Sequence, residues 1–219
     1  MRPDFGSWGL RKPNSVTVIV GGPGEGKTVL AYDLVDYLRG DRPVFTPMTQ
    51  QYGRPKAYHP IPKEFPKEGG YVVLYTDAST GYNAREFMSP KNIDFGKILS
   101  LRRHDDVDVV IDLQNSGDLD MVFLRATDCL VLKAPSLLQE DMERPVLRKK
   151  YEQANELIAE HGGWDRSKAV VFTHKRSAFV VSDIEPPSYY NSRISKDDQH
   201  QPASTSGSRW SWDVIKNMI

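Results

Sequence analysis

The sequence predicts an α/β fold with a mainly parallel sheet. Three observations carry this. The β-branched run "VTVIV" at residues 16–20 passes straight into the glycine-rich "GGPGEGKT" and then into an apolar-faced helix. Short apolar runs alternate with helical segments over most of the chain, as in strands laid side by side through helical crossovers. Further on, "KAVVFTHKRSAFVVSDI" holds two apolar runs around a polar tip and reads as an antiparallel β-hairpin.

The elements follow in order. Residues 1–15 read as an irregular arm holding Trp8. Residues 16–20 form the first buried strand. Residues 26–38 form a helix with Val29, Leu30, Leu34, Val35 and Leu38 on one face, and Gly40 follows as its stop. A short strand is expected at 43–46 ("PVFT"), then a long proline-rich loop over 47–70, a kind of segment that often has a function. Residues 71–76 ("YVVLYT") form a strand ending in Asp77, and a helix is expected near 93–103. "VDVVIDLQ" at 107–114 is another buried strand, "GDLDMVFLRA" a short helix, and 129–133 ("CLVLK") a further strand. A long helix over 145–161 is stopped by Gly162 and Gly163. Polar residues over 195–209 suggest a linker, and "WSWDVIKNMI" closes the chain. The expected organisation is an arm at 1–15, a domain at 16–194, and a linker with an aromatic tail at 195–219.

The 219 residues can bury a sizeable core. Lys and Arg total 29 and so do Asp and Glu, so no net charge announces a nucleic-acid or membrane partner, although a local basic patch remains open. Cys129 is the only cysteine, which excludes an intrachain disulfide and a multi-cysteine zinc site. Its apolar surroundings predict a buried, inert thiol. There is no signal-peptide pattern and no apolar run near the ~18 residues of a membrane span. A soluble, intracellular chain is expected.

Gly21-Gly22-Pro23-Gly24-Glu25-Gly26-Lys27-Thr28 satisfies G-x-x-x-x-G-K-[ST]. Its glycines let successive backbone N–H groups turn inward with no Cβ in the way. The helix that begins there, running on through Val29, adds its positive dipole end. Lys27 would reach the β- and γ-phosphates and the Thr28 hydroxyl would ligate Mg²⁺. The strand before and the helix after supply the context such a loop needs. The pattern predicts a nucleoside-triphosphate site, with ATP and Mg²⁺ as ligands.

The loop does not name the reaction. A GTPase switch needs an N/T-K-x-D, and "THKR" at 173–176 has no aspartate. A small-molecule or nucleotide kinase needs an arginine-rich lid, which "MERPVLRKK" could supply. A hydrolytic enzyme needs an acid at a neighbouring strand end for Mg²⁺ and a carboxylate for the attacking water. Two strands end in acids, Asp77 and Asp112. Asp77 is favoured, because the short strand at 43–46 lies between it and the loop in the chain.

The order from the P-loop onward, with "SLRRHDDVDVVIDLQNSGDLDMVFLRATDCLVLK" at its centre, resembles the FtsK/HerA superfamily of DNA-pumping ATPases. It is most similar to viral genome-packaging ATPases and Zot-like phage assembly ATPases. Arg102, Arg103, His104, Asp108, Gln114, Leu119, Asp120 and Arg125 fall at that family's places. The likeness spans roughly residues 16–183, and its specific parts are the P-loop and the "RRH…Q" block.

The resemblance implies a three-layer P-loop NTPase sandwich of the additional-strand class, with order 5-1-4-3-2 and an antiparallel edge hairpin. It implies an ATPase coupled to DNA translocation, most of all a viral or phage genome-packaging motor in the host cytoplasm or on the virion. Virion extrusion of the Zot kind is the near alternative. Lys27, Asp77, Gln114, Arg102 and Arg103 become the catalytic residues: Gln114 a polar sensor of the γ-phosphate, and Arg102 or Arg103 a finger across a subunit interface. Thr28 and Asp77 become the metal ligands. The family's strand-end D-E-A is replaced here by Thr76-Asp77-Ala78, so one carboxylate is missing. Asp77 combines both roles, or Asp112 contributes, with Glu86 a distant alternative, and hydrolysis without DNA or partner subunits should be slow. Double-stranded DNA is the implied partner of a homo-oligomeric ring. The grip would come from Arg54 and Lys56, residues 102–104, Arg144 to Lys150, and the hairpin tip at 174–177. The aromatic tail could dock on a neighbouring subunit, a capsid or membrane vertex, or its own core.

Overall fold

A computed structural model of the chain describes residues 4–8, 10, 14–48, 50–62, 64–76, 106–115, 121–136, 143–173 and 178–199. Among them, eight strands form one sheet. These are β1 (Val16–Val20), β2 (Val44–Thr46), β3 (Tyr58–Pro60), β4 (Tyr71–Tyr75), β5 (Val107–Leu113), β6 (Cys129–Leu132), β7 (Ala169–Thr173) and β8 (Phe179–Val181). The helices are α1 (Lys27–Arg39), α2 (Met121–Ala126), α3 (Pro145–Ala159) and α4 (Ser192–Gln199). The helix expected near 93–103 lies outside the described residues.

The strands lie in the order β3-β2-β4-β5-β1-β6-β7-β8. From β3 to β6 all neighbours are parallel, while β7 runs antiparallel to β6 and β8 antiparallel to β7. Numbering β1, β2, β4, β5 and β6 alone as strands 1 to 5 gives 5-1-4-3-2, the expected order, with the hairpin at the β6 edge.

The sheet is buried on both faces, which explains why its strands read as unbroken apolar runs. Alternation then divides each strand between two cores. Val16, Val18 and Val20 of β1, with Val107, Val109, Ile111 and Leu113 of β5, pack with Tyr151, Ala154 and Ile158 of α3. Ile19 of β1, Val72 and Leu74 of β4, and Val110 of β5 pack with Leu30, Leu34, Val35 and Leu38 of α1. The result is helix, sheet, helix.

Three features depart from the sequence pattern or add to it. The proline-rich loop contains β3, a parallel edge strand whose residues Tyr58, His59 and Pro60 face Val44, Phe45 and Thr46. Three residues ending in proline carry no readable alternation, and an edge strand tolerates the missing N–H. The N-terminal arm folds a short 3-10 turn, Phe5–Trp8. Trp8 is buried there against Phe5 and Phe179. α4 runs through Gln199, past residue 195 where the polar composition suggests a linker. Asn191 accepts bonds from the N–H groups of Arg193 (2.9 Å) and Ile194 (3.4 Å), and Ile194 is fully buried.

The edge of the sheet at the strands' N-terminal ends is tied by a buried acid. Asp108 accepts bonds from the backbone N–H and the hydroxyl of Ser15, both at 2.7 Å, and pairs with the Arg42 guanidinium. Asp108 is therefore a structural clamp, at the end of β5 remote from the P-loop.

Candidate nucleotide-binding site

β1 delivers the glycine loop at the C-terminal edge of the sheet, where ligands of open α/β sheets sit. The chain leaving β6 passes directly behind it: the Lys133 N–H donates to the Val20 carbonyl at 2.8 Å, and the Gly22 N–H to the Ala134 carbonyl at 2.7 Å. A Cβ on Gly21 would sit 2.6 Å from the Lys133 Cβ, and one on Gly22 3.0 Å from the Ser136 nitrogen. These two glycines are thus required by close backbone approach.

Gly24 (φ 76°) and Gly26 (φ 80°) are required for a different reason, the left-handed backbone that turns the loop into α1. Gly26 is the N-cap and brings no side chain to occupy the first amides, and the first turn of α1 holds no acid. The helix dipole is left for an anion. Pro23 and Gly24 are exposed, while Glu25, Thr28 and Val29 are half-buried. The Lys27 ammonium donates to the Gly22 carbonyl at 2.8 Å, folded over the loop it would serve. The cradle fits a triphosphate.

Register places the neighbouring strand ends beside it. Val20 of β1 is level with Leu113 of β5, and Tyr75 of β4 with Ile111. Gln114 therefore emerges next to Gly21, half-buried. Asp112, fully buried, alternates onto the α1 face with Val110, and Thr76 follows Val72 and Leu74 onto the same face. The Thr76 hydroxyl is buried and has no hydrogen-bond partner among the described residues. Asp77, Glu86, Arg102, Arg103 and His104 lie outside the described residues. Thr28, Thr76 and Asp112 supply only hard oxygen donors, which suits Mg²⁺. Among the described residues no group of three or more His, Cys, Asp or Glu side chains is placed to hold a metal.

Sequence reading missed the turn that covers the loop from the hairpin side. Lys133, fully buried, donates from its ammonium to the carbonyls of Arg166 (2.6 Å) and Lys168 (2.7 Å). Burial pushes its pKa down to about 8, opposed by Glu25 and Asp165 and assisted by Lys27. Lys168 in turn pairs with Asp165 at 2.8 Å and donates to the carbonyls of His161 (2.9 Å) and Gly163 (3.1 Å). The Lys168 and Ser167 bonds hold the Asp165 carboxyl down at about 2. The one visible signal was a lysine closing the apolar run "CLVLK".

Among the expected DNA-gripping residues, Arg54 is corrected. It is buried, donating to the Tyr32 hydroxyl (3.0 Å) and the Gln50 carbonyl (2.8 Å) with its guanidinium over the Tyr32 ring. An arginine spent on its own core cannot meet a phosphate backbone. Lys56, Arg148 and Lys149 are exposed, whereas Lys150 lies over the Phe172 ring at 4.7 Å. Residues 102–104 and the tip at 174–177 lie outside the described residues. Cys129 is fully buried, its thiol pushed up to about 12 by burial, as the apolar run suggested. No described helix is long and apolar enough to cross a membrane.

A P-loop on strand 1, with strand 4 inserted between it and strand 3, defines the additional-strand class of P-loop NTPase fold. No protein-family profile and no curated protein matches the chain in sequence. Solved structures do match in fold. One is the genome packaging NTPase B204 from Sulfolobus turreted icosahedral virus 2 in complex with ATPγS. It is 13% identical at a TM-score of 0.56, covering 80% of this chain and 100% of that one. Another is the DNA-packaging ATPase B204 from Sulfolobus turreted icosahedral virus. It is 11% identical at a TM-score of 0.53, with 80% and 100% covered. The N-terminal domain of zonular occludens toxin from Neisseria meningitidis also matches, 20% identical over 55% of this chain and 76% of that one. Its TM-score of 0.38 is too low to carry an argument. The fold is thus that of the viral packaging ATPases, as the sequence motifs suggested.

Proposed function

We propose that this chain is an ATP-hydrolysing DNA translocase, the genome-packaging motor ATPase of a virus or phage. The observation that carries this is the sheet order. In that order Gln114 follows β5, the strand beside the P-loop strand, and Thr76 follows β4, the strand next to β5. The fold likeness to packaging ATPases supports the same reading.

Each residue then has a task. Main-chain amides from Gly24 to Thr28 bind the phosphates, and Lys27 releases the Gly22 carbonyl to meet the β- and γ-phosphates. Thr28 and Asp77 would hold Mg²⁺, which when bound neutralises developing phosphate charge. Thr76 and Asp112 provide oxygens on the same face, so Asp112 can contribute the carboxylate that Ala78 lacks. Gln114 orients the attacking water or the γ-phosphate and reports its loss. Arg102 or Arg103 completes the site from a neighbouring subunit of a ring. Exposed basic side chains, Lys56, Arg148 and Lys149 among them, meet double-stranded DNA, where contacts weak in one subunit add around the ring.

The test is ATP hydrolysis with and without double-stranded DNA, on wild type and on Lys27→Ala, Asp77→Ala and Gln114→Ala. Slow basal turnover should rise with DNA, and that rise should fade with salt. Lys27→Ala should lose ATP binding. Asp77→Ala and Gln114→Ala should bind ATP but lose the stimulated rate by roughly a hundredfold. Phosphate transfer to an added nucleoside would instead identify a kinase. Binding without turnover in any context would leave a nucleotide-binding scaffold.

A further inference from the structure

We propose that Arg166 is a phosphate-contacting residue of the nucleotide site, supplied in cis from the turn between α3 and β7 and positioned there by Lys133. The proposal rests on the nucleotide reading of the loop and adds a cation that the P-loop motif does not contain.

The placement is specific. A terminal nitrogen of the Arg166 guanidinium lies 3.8 Å from where a Cβ on Gly24 would be, at the exposed apex of the loop. The Arg166 carbonyl lies 3.4 Å from the corresponding point on Gly26. One residue thus covers the loop with its backbone and its apex with its side chain.

That backbone is fixed from several directions. The Lys133 ammonium holds the Arg166 carbonyl at 2.6 Å from beneath. Asp165 accepts from the Ser167 N–H (2.7 Å) and hydroxyl (2.6 Å), and the Ile184 N–H donates to the Ser167 carbonyl at 3.0 Å. The guanidinium itself is exposed and has no hydrogen bond or ion pair among the described residues. The nearest acid along the chain, Asp165, is already engaged by Lys168 and Ser167. A donor fork on an anchored backbone, beside a loop built for anions, matches the geometry of phosphate oxygens. Gly24 follows the close-packed Gly21 and Gly22 and precedes Lys27, the residue that serves the β- and γ-phosphates. The side chain is therefore assigned to the outer phosphates.

The experiment uses the full chain with Mg²⁺. Binding of ATP, ADP and AMP is measured by displacement of a fluorescent ATP analogue, for wild type, Arg166→Gln, Arg166→Lys and Lys27→Ala, with thermal melts alongside. Arg166→Gln should weaken ATP roughly tenfold, ADP less, and AMP by under about twofold. Arg166→Lys should recover part of the loss, and the melts should not move. ATP affinity within about twofold of wild type overturns the proposal. So does an equal loss for ATP and AMP, which would mean a contact to the base or to the loop's shape. If Lys27→Ala also leaves ATP binding intact, the nucleotide reading itself fails. The positioning role is read from a double-mutant cycle. Lys133→Met should lower ATP affinity when Arg166 is present and change it little in the Arg166→Gln background. Equal losses in both backgrounds remove Lys133 from the proposal.

Discussion

Replacing Lys133 by methionine keeps most of the side chain's volume and removes its charge and two donated hydrogen bonds. At neutral pH the two effects oppose each other. Leaving the Arg166 and Lys168 carbonyls unpaired costs about 1–3 kcal/mol each. Relieving a buried ammonium returns a comparable amount: the fall in pKa from 10.5 to about 8 corresponds to about 3 kcal/mol. The level of stability at one pH is therefore a poor discriminator, and its slope is a good one. Between pH 8 and 10.5 the unfolded chain keeps a proton on Lys133 that the folded chain has released, so wild-type stability from this group rises with pH. From pH 7 to 9.5 the rise is about 2 kcal/mol. Asp165, its carboxyl held down at about 2 by the Lys168 and Ser167 bonds, stays charged throughout that window. Tyr58 and Tyr189, both held protonated above the usual tyrosine range by burial, act in the opposite sense but equally in both proteins. Urea unfolding of wild type and Lys133→Met at pH 7, 8, 9 and 9.5 should show wild type gaining about 2 kcal/mol on the variant. A constant difference, or one that shrinks, would falsify the picture of a buried ammonium behind the phosphate loop.

Three further predictions concern the loop and the sheet that carries it. Gly21→Ala puts a Cβ 2.6 Å from the Lys133 Cβ, so it should cost about 1–3 kcal/mol in urea unfolding and weaken ATP; unchanged values of both would mean the strands part without penalty. Asp108→Asn should cost about 2–3 kcal/mol, since Arg42 keeps its bonds to Asp106 and the Leu38 carbonyl. Its ATP affinity should not change, because six residues of strand put Asp108 roughly 20 Å from Gln114; a parallel loss of ATP binding would refute that separation. Cys129, at 0% exposure with its thiol pushed up to about 12, should resist a thiol reagent at pH 8 until urea unfolds the chain. Fast labelling of the native protein would show that β6 opens.

Much of the fold was legible because its signals are local. Consecutive residues write a buried parallel strand as "VTVIV" or "VDVVIDL", and a phosphate loop as glycines at fixed offsets from a lysine. The strand order came from the likeness to a motor family, and the structure has that order. β3 escaped because a short edge strand ending in Pro60 has no periodicity to read. Arg54 was misread because a lone basic residue in a proline-rich loop looks solvated, and only the packing of Tyr32 beneath it reveals burial.

The sequence by itself determined that this chain has a cradle for phosphates, since left-handed turns and bare amides demand glycine wherever they occur. The tertiary structure alone decided what surrounds that cradle. Lys133 and Arg166 reach the loop because β6 runs beside β1 and β7 returns antiparallel to β6, pairings between segments far apart in the chain. Such contacts depend on which strands become neighbours, and no spacing within a short stretch of residues encodes them.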